Sequence, residues 1–448
     1  MDERQRVLEL VERYGWNATA FQTLEGGYSY LFYGDDACVA YVDTGSAWVV
    51  AGAPIAPHER LGEVVAHFVR AARNAGRRCC FFAAEERLQS AAGDALRSFP
   101  IGEQPVWDPH DWPKILAEHR SVREQLRRAK AKGVRTREVS AEELHEGATR
   151  DAIARVAEQW LSTRSMAPME FLVRVEPFTF PSHRRCFVAE REGKVVGFAG
   201  VVPVPAREGW FLEDLVRDSR APNGTGELLI DAVMRWAREQ GSSWLTLGLA
   251  PLSGQVAAPL RAARKGSKYL YDFNGLRRYK AKLRPHSWSR IYLAYPAAQS
   301  ALASLVDSLV AFTRGGLLRF GLRTLLRGPT AVLRLLTVLL VPWVVVLGLS
   351  PSEHWFGTPW LKWAWVVFDV IVAAALFRLL RRPNAGLALA LALAVTSDAV
   401  LTLVQAVIWN APRARGIFEY GIIALACAAP ALAAVVLWGA RRTRLRTL

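Results

Sequence analysis

The 448-residue sequence predicts two tandem α/β domains followed by an all-α bundle of four transmembrane helices. Three observations carry that architecture: a strand-helix-strand pattern that occurs twice before residue 296, a shift to apolar composition after residue 328, and four apolar runs beyond it. In the first copy, AWVVAGAPIAP (47–57) reads as a strand and loop, EVVAHFVRAARNAG (63–76) as an amphipathic helix stopped by glycine, and RRCCFFAA (77–84) as a strand. In the second, GWFLEDLVRDS (209–219), TGELLIDAVMRWAREQG (225–241) and SSWLTLGLA (242–250) repeat that order. Ala72-Arg73 before Gly76 answers Ala237-Arg238 before Gly241. The expected division is 1–136 for the first domain with a basic connecting helix, 137–296 for the second, 297–328 for an interfacial helix and 329–448 for the bundle.

The apolar runs 330–349, 361–377, 386–409 and 417–438 are each near the roughly 20 residues that cross a bilayer as a helix. Arginines gather before the first run (Arg314, Arg319, Arg323, Arg327), between the second and third (Arg378, Arg381, Arg382) and after the fourth (Arg441, Arg442, Arg444, Arg446). The remaining loops carry only Lys362, Arg413 and Arg415. Because Lys and Arg accumulate on the cytoplasmic side, both termini are expected there. The N-terminal MDERQRVLELVERYGW has no apolar signal core, which agrees. The expected location is the inner (plasma) membrane, multi-pass, with the globular part cytoplasmic. Residues 297–327 alternate Leu and Val with Arg at helical spacing, as in an interfacial amphipathic helix or a surface helix packed on the globular part. Asp369 and Asp398 fall inside apolar runs, where a carboxylate costs about 2.5–3.5 kcal/mol. They are expected to face the bundle interior beside Thr396, Ser397 or Gln405.

A net charge of +16 implies attraction to polyanions, and an anionic lipid surface and a nucleic acid both satisfy it. The five cysteines are odd in number with no C-x-x-C pair, against a disulfide scaffold or zinc site. In the second copy, CFVAEREGKVVGFAGVVPV (186–204) holds two alternating apolar runs around Glu192-Gly193-Lys194, a hairpin by its turn residues. Strand, hairpin, strand, helix, strand is the order of the GNAT (acetyltransferase-like) fold, which does not by itself fix the donor.

The densest polar segment runs from Glu213 to Glu227, between a strand and a helix N-terminus. Asn223, Gly224, Thr225 and Gly226 could place backbone N–H groups on a phosphate or an oxyanion, or Asn223 or Thr225 could simply cap the helix. Coenzyme A enzymes of this fold carry Gln/Arg-x-x-Gly-x-Gly/Ala here. Ala221 occupies the required place and Arg220 is one residue out of register, so that signature is incomplete.

The stretches LEDLVRDSRAPNGTGELLIDAVMRWAREQGSSWLTLGLAPLSG (212–254) and LYDFNGLRRYKAKLRPHSWSRIYLAYP (270–296) resemble the C-terminal catalytic region of phosphatidylglycerol lysyltransferases, the multiple peptide resistance factors. AGAPIAP, IGEQPVWD and REQLRRAKAKGVRTREV precede them in the family's order, so the resemblance spans about residues 25–296. It implies two GNAT-like domains against a membrane, aminoacyl-tRNA as donor, phosphatidylglycerol or another anionic lipid as acceptor, and no metal or tightly bound cofactor. Glu227 stands where the family usually has Asp, and Tyr279 where it has Phe. On this resemblance the C-terminal runs are expected to take the place of the long members' N-terminal flippase region.

Such a transfer needs a group for the acceptor proton, an oxyanion donor and cations for phosphates. Asp214 and Glu227 are the acid/base candidates, with Arg217 to orient a carboxylate or hold the lipid phosphate; an Asp214–Arg217 structural bridge is the alternative. Glu213 and Ser253 line the expected substrate site. Lys280 and Lys282, two apart in a strand-like segment, would share a face toward the headgroup or the tRNA end, or form a solvated edge. Arg123, Arg127 and Arg128, in a stripe with Arg120, Lys130 and Lys132, would follow the tRNA acceptor arm or be a solvated helix face. Two rival activities remain open: an acyl-coenzyme A or acyl-carrier-dependent acyltransferase, and a non-catalytic lipid or tRNA sensor.

Overall fold

A computed structural model describes residues 2–164, 167–254, 256, 273–313, 316–317, 319–321, 324, 329–350, 355–381 and 384–444. The chain forms two compact units, one of residues 1–164 and 168–317 and the other of residues 165–167 and 318–448.

The first unit is built on one 12-stranded mixed sheet. Its strands are β1 (Ser29–Phe32), β2 (Cys38–Asp43), β3 (Ala47–Ala51), β4 (Arg78–Ala84), β5 (Leu96–Trp107), β6 (Arg135–Val139), β7 (Arg185–Arg191), β8 (Lys194–Val204), β9 (Gly209–Arg217), β10 (Trp244–Thr246), β11 (Ala250–Pro251) and β12 (Ser287–Pro296). The helices are α1 (Glu3–Tyr14), α2 (Leu61–Asn74), α3 (Glu86–Ala92), α4 (Trp112–Glu118), α5 (Arg120–Ala131), α6 (Ala141–His145), α7 (Ala148–Ser162), α8 (Thr225–Glu239), α9 (Phe273–Lys282) and α10 (Ala301–Phe312). The expected repeat is present as two parallel strand pairs, β3 with β4 through α2 and β9 with β10 through α8. The β7–β8 hairpin turns at Glu192 and Gly193, whose φ of 53° and 74° are the left-handed values a tight primed turn requires.

The sheet order is β1-β2-β3-β4-β12-β5-β10-β9-β8-β7-β6, with β11 beside β5. Each repeat thus lends its last strand to the other: β5 pairs with β10, and β12 lies between β4 and β5. The strands therefore cross residue 136, and the two acetyltransferase-like repeats share one continuous sheet. Cys38, Cys79, Cys80 and Cys186 are buried, and burial pushes each thiol up to about 12.

The second unit contains α11 (Pro329–Leu349), α12 (Pro359–Arg381), α13 (Ala385–Gln405) and α14 (Ile417–Arg444). Among the described residues three helical stretches are long and apolar enough to cross a membrane: Pro359–Arg381, Ala385–Arg413 and Ile417–Trp438. The expected count of four is therefore corrected to three. The helix over the first expected span, Pro329–Leu349, is 21 residues long and carries Arg334 and, in its interior, Pro342. Of the expected inner-side arginines, Arg314, Arg323, Arg327, Arg382 and Arg446 lie outside the described residues, as does Gly315 in the proposed interfacial segment. Asp369 is buried, and Asp398 accepts a hydrogen bond from Thr402 at 3.1 Å. Of the partners expected for them, Thr396 accepts from Trp438 and Gln405 from Trp365, both at 3.1 Å.

Candidate active site

The site lies where β9 and β10 part. Their parallel pairing ends at Thr246 opposite Phe211; beyond it residues 247–249 leave β9, and β11 pairs with β5. On its other edge β9 stays paired with β8, but the register shifts: Gly200 faces Asp214, and the next pair is Val201 with Leu212. Glu213 is the extra residue of a β-bulge. Regular alternation would put Glu213 and Asp214 on opposite faces. Asp214, two residues before Val216, lies on the Phe198–Val216 side by regular alternation; the bulge leaves Leu212 as well as Leu215 on the α8 side and so brings Glu213 onto the Asp214 face. Gly200 leaves room for the carboxyl, since a Cβ there would press against Asp214 Oδ2 at 3.2 Å.

Glu213 and Asp214 meet residues far away in sequence. Arg184, 1% exposed, places Nη1 3.3 Å from Glu213 Oε2 and donates its Nε–H to the Thr179 carbonyl at 2.8 Å. Glu25 is 3% exposed and lies within the field of Glu213, Glu176, Asp214 and Arg184. Burial first, then Glu213, pushes the Asp214 carboxyl up to about 8, with Arg184 opposing. Burial and the same carboxylates raise Glu25, and burial and Glu25 raise the Tyr28 phenol. Of these carboxyl groups Glu213 touches the guanidinium, and Asp214 and Glu25 lie within its field. Glu25 Oε1, both Glu213 carboxylate oxygens, Asp214 Oδ2 and both Arg184 Nη atoms are buried without a hydrogen-bond partner among the described residues. The Arg184–Glu213 contact is a charge pairing without a well-directed hydrogen bond. Buried donors and acceptors are normally paired, so a cluster of orphans marks a place shaped for a polar ligand. Glu25, Tyr28 and Arg184 were not singled out in the sequence. No spacing links residues 25, 184 and 213, and the loop Glu25-Gly26-Gly27 is the only local hint.

Lys280 is placed differently from expectation. It lies in α9, not in a strand, so Lys282, about 200° further round, is on another face and is exposed. The buried Lys280 Nζ donates to the carbonyls of Leu247, Gly248 and Leu249 at 2.7, 2.9 and 3.0 Å, and burial pushes its ammonium down to about 7. These are the carbonyls released where the chain leaves β9, so all three ammonium protons serve to hold the strands apart rather than to meet a phosphate. Lys280→Met is expected to lower the thermal midpoint of the purified protein, because each stranded buried carbonyl costs roughly 1–3 kcal/mol. An unchanged midpoint would show that the splay stands without it.

The other expected residues divide between two faces. Arg217 and Glu227 both act on the Tyr279 phenol, which burial pushes far up, on the face opposite Asp214. Neither an Asp214–Arg217 bridge nor an Asp214–Glu227 pair forms; Arg217 Nη1 donates to the Ala221 carbonyl at 3.4 Å. The Gly224 turn is filled. Gly224 has φ 94°, and a Cβ there would lie 2.1 Å from the Gln125 carbonyl oxygen of α5. The close approach it permits is to a helix of this chain. Thr225 donates its hydroxyl to the Pro222 carbonyl at 2.7 Å, Asn223 is exposed, and no side chain caps α8. Ser253 fixes β11 on β5, donating to the Ala250 carbonyl at 2.6 Å and accepting from the Glu103 N–H at 3.2 Å. On α5, Arg123 donates to the carbonyls of Leu116 and Ala117, while Arg127 and Arg128 pair with Glu124 at 2.7 and 3.4 Å. The stripe is exposed and partly neutralised. Among the described residues no group of three or more His, Cys, Asp or Glu side chains is arranged to hold a metal ion.

The sequence profile described as phosphatidylglycerol lysyltransferase, C-terminal, matches residues 8–295. A phosphatidylglycerol lysyltransferase of Bacillus subtilis is 25% identical over 305 residues, 65% of this chain and 35% of that protein. The chain spans about a third of the length of the curated lysyltransferases it matches. Among solved structures, a C-terminal (DUF2156) domain assigned to a lysylphosphatidylglycerol synthetase of Agrobacterium fabrum superposes with TM-score 0.61 at 25% identity, covering 70% of this chain and 98% of that one. L-PGS from Bacillus licheniformis does so with TM-score 0.59 at 22% identity, covering 68% and 95%, and shares the fold.

Proposed function

We infer the activity from family and site together: the chain belongs to the phosphatidylglycerol lysyltransferase C-terminal family, and we propose that it moves an aminoacyl group from aminoacyl-tRNA to phosphatidylglycerol or a related anionic lipid at a membrane. The observation that carries this reading is the buried cluster of Glu25, Glu213, Asp214 and Arg184, whose carboxylate and guanidinium atoms are left without hydrogen-bond partners among the described residues. An aminoacyl ester carries an ammonium group, which such a pocket would pair and hydrogen-bond. The acyl portion of acyl-coenzyme A carries no such cation, and the α8 turn where its pyrophosphate would sit is packed against Gln125.

In the proposed step the lipid hydroxyl oxygen attacks the ester carbonyl, forming the new C–O bond, and Asp214 takes its proton. The bond to the tRNA terminal ribose then breaks, and the proton passes to the departing ribose oxygen. Charge is conserved, and no oxidant or further reactant is needed. A neighbouring ammonium favours the ionised carboxyl, so binding of the donor would prepare Asp214 as a base. We assign Lys280 to positioning the splayed strands, and Arg123, Arg127 and Arg128 with their neighbouring lysines to phosphate contacts with tRNA. We place the catalytic unit on the cytoplasmic side, where aminoacyl-tRNA is available.

The test is transfer by the purified full-length protein in phosphatidylglycerol vesicles, with lysyl-tRNA labelled in the amino acid and lipid extracts counted. Labelled lipid is expected, lost after ribonuclease and reduced as salt rises. Product formed from acyl-coenzyme A and insensitive to ribonuclease would give the site to the coenzyme A reading. A protein that binds tRNA or lipid and transfers from neither donor would be the sensor.

A further inference from the structure

Helix α10 is attached to the sheet with its polar side inward. Ser304, Asp307 and Ser308 are buried, whereas Leu302, Val306 and Leu309, at i, i+4 and i+7, are 70%, 42% and 46% exposed. Asp307 accepts from Arg78 Nε and Nη2 at 2.8 and 2.7 Å and from Ser46 Oγ at 3.2 Å. Ser308 Oγ lies 3.5 Å from Cys80 Sγ. Hydrocarbon anchors the helix through Leu305, through Ala311 and through Phe312, whose ring meets Phe82 and Phe171 edge-on at 5.0 and 5.2 Å. In water this orientation is unfavourable. A net hydrogen bond contributes about 1 kcal/mol, while each aliphatic side chain left outside forfeits roughly 1.5–3 kcal/mol of burial. The arrangement becomes favourable where the outer face meets an apolar medium.

We propose that the Leu302–Val306–Leu309 face of α10 rests in the boundary between headgroups and acyl chains of an anionic bilayer. The chain itself indicates this occupant. Leu317, 42% exposed, continues the apolar character; Arg314, Arg319, Arg323 and Arg327 around and after it carry charge complementary to anionic headgroups; and the same chain goes on to the apolar helix Pro329–Leu349 and the stretches long and apolar enough to cross a membrane. The Arg78–Asp307 contact fixes which side of the helix faces outward, so the lipid surface would be presented at a set orientation to the sheet that carries the pocket. This surface is independent of which donor or acceptor the pocket uses.

The test uses the full-length protein with Cys427→Ser, in which the four remaining cysteines are buried. An environment-sensitive fluorophore is placed by Val306→Cys, by Leu309→Cys in a second protein, and by Glu59→Cys as an exposed control. The proteins are reconstituted in vesicles of phosphatidylethanolamine and phosphatidylglycerol. At positions 306 and 309 the emission is expected to shift to the blue and to be quenched by lipids carrying a nitroxide near the glycerol, with aqueous iodide quenching several-fold weaker than at position 59. Iodide quenching equal to that at position 59 would overturn the proposal. So would energy transfer between labelled copies without nitroxide quenching, which would give the face to a second copy. The readout involves no transfer, so a failed transferase assay leaves it intact.

Discussion

Asp214→Asn is expected to lower lipid product from the full-length protein by about 10²- to 10⁴-fold, the usual contribution of a positioned acid or base, with little change in melting. The second half of that expectation follows from the environment. Burial and Glu213 hold the Asp214 carboxyl up to about 8, so near neutral pH the pocket without donor contains mostly the neutral acid, which Asn matches in shape and lack of charge. The first half follows because an amide cannot accept the proton of the attacking hydroxyl. A base that must first lose its proton also makes the parent rate climb as pH rises toward 8, and that slope should vanish in the variant. Product is counted across this pH range, with thermal melting of the same preparations as the folding control. A normally melting variant that works at the parent rate and keeps the parent pH slope would remove Asp214 from the reaction and leave Glu213 as the next candidate.

The parts of this site that were legible in sequence are those set by local periodicity. Residues 47–84 and 209–250 could be recognised as two copies of one strand-helix-strand unit because amphipathic spacing and glycine stops survive in both. The 186–204 hairpin was legible because Glu192-Gly193 tolerates left-handed backbone. What escaped depends on partners remote in the chain. Arg217 falls on the face opposite Asp214 by ordinary alternation, but the bulge that brings Glu213 onto the Asp214 face and toward Arg184 depends on pairing with the neighbouring strand, and nothing in LEDLVRDS encodes it. Lys280 sits in a segment, RRYKAKL, whose pattern suits strand or helix, and its role exists only because residues 247–249 release their carbonyls beneath it. Gly224 does signal a close backbone approach, but the sequence does not say that Gln125, rather than a phosphate, makes it. Burial and charge were legible; which face each residue occupies was not.

Arg184→Met is expected to destabilise the protein by about 3–5 kcal/mol near neutral pH, the cost of removing one partner from a buried ion pair. At 1% exposure solvent screens little of this, and methionine fills much of the volume, so the loss is electrostatic rather than a cavity. The pH dependence has a definite sign. Asp214 and Glu25 have ordinary values of 3.8 and 4.5 and are raised in the folded protein. The unfolded chain therefore releases these protons first, and the stability they confer is full in acid and is lost as pH climbs from about 4 through the folded value of Asp214 near 8. Arg184 opposes both shifts, so removing it raises both carboxyls further and widens the window over which stability falls. Thermal melting of full-length parent and variant in detergent should nearly converge at acid pH and separate as pH increases. Adding Glu213→Gln removes the carboxylate left unpaired, and the double variant should recover much of the lost stability without recovering transfer, since the pocket would then lack both charges. If Arg184→Met melted like the parent at every pH, the guanidinium would not be what holds these carboxyl groups together, and the pocket assigned to the donor's ammonium would lose its structural basis.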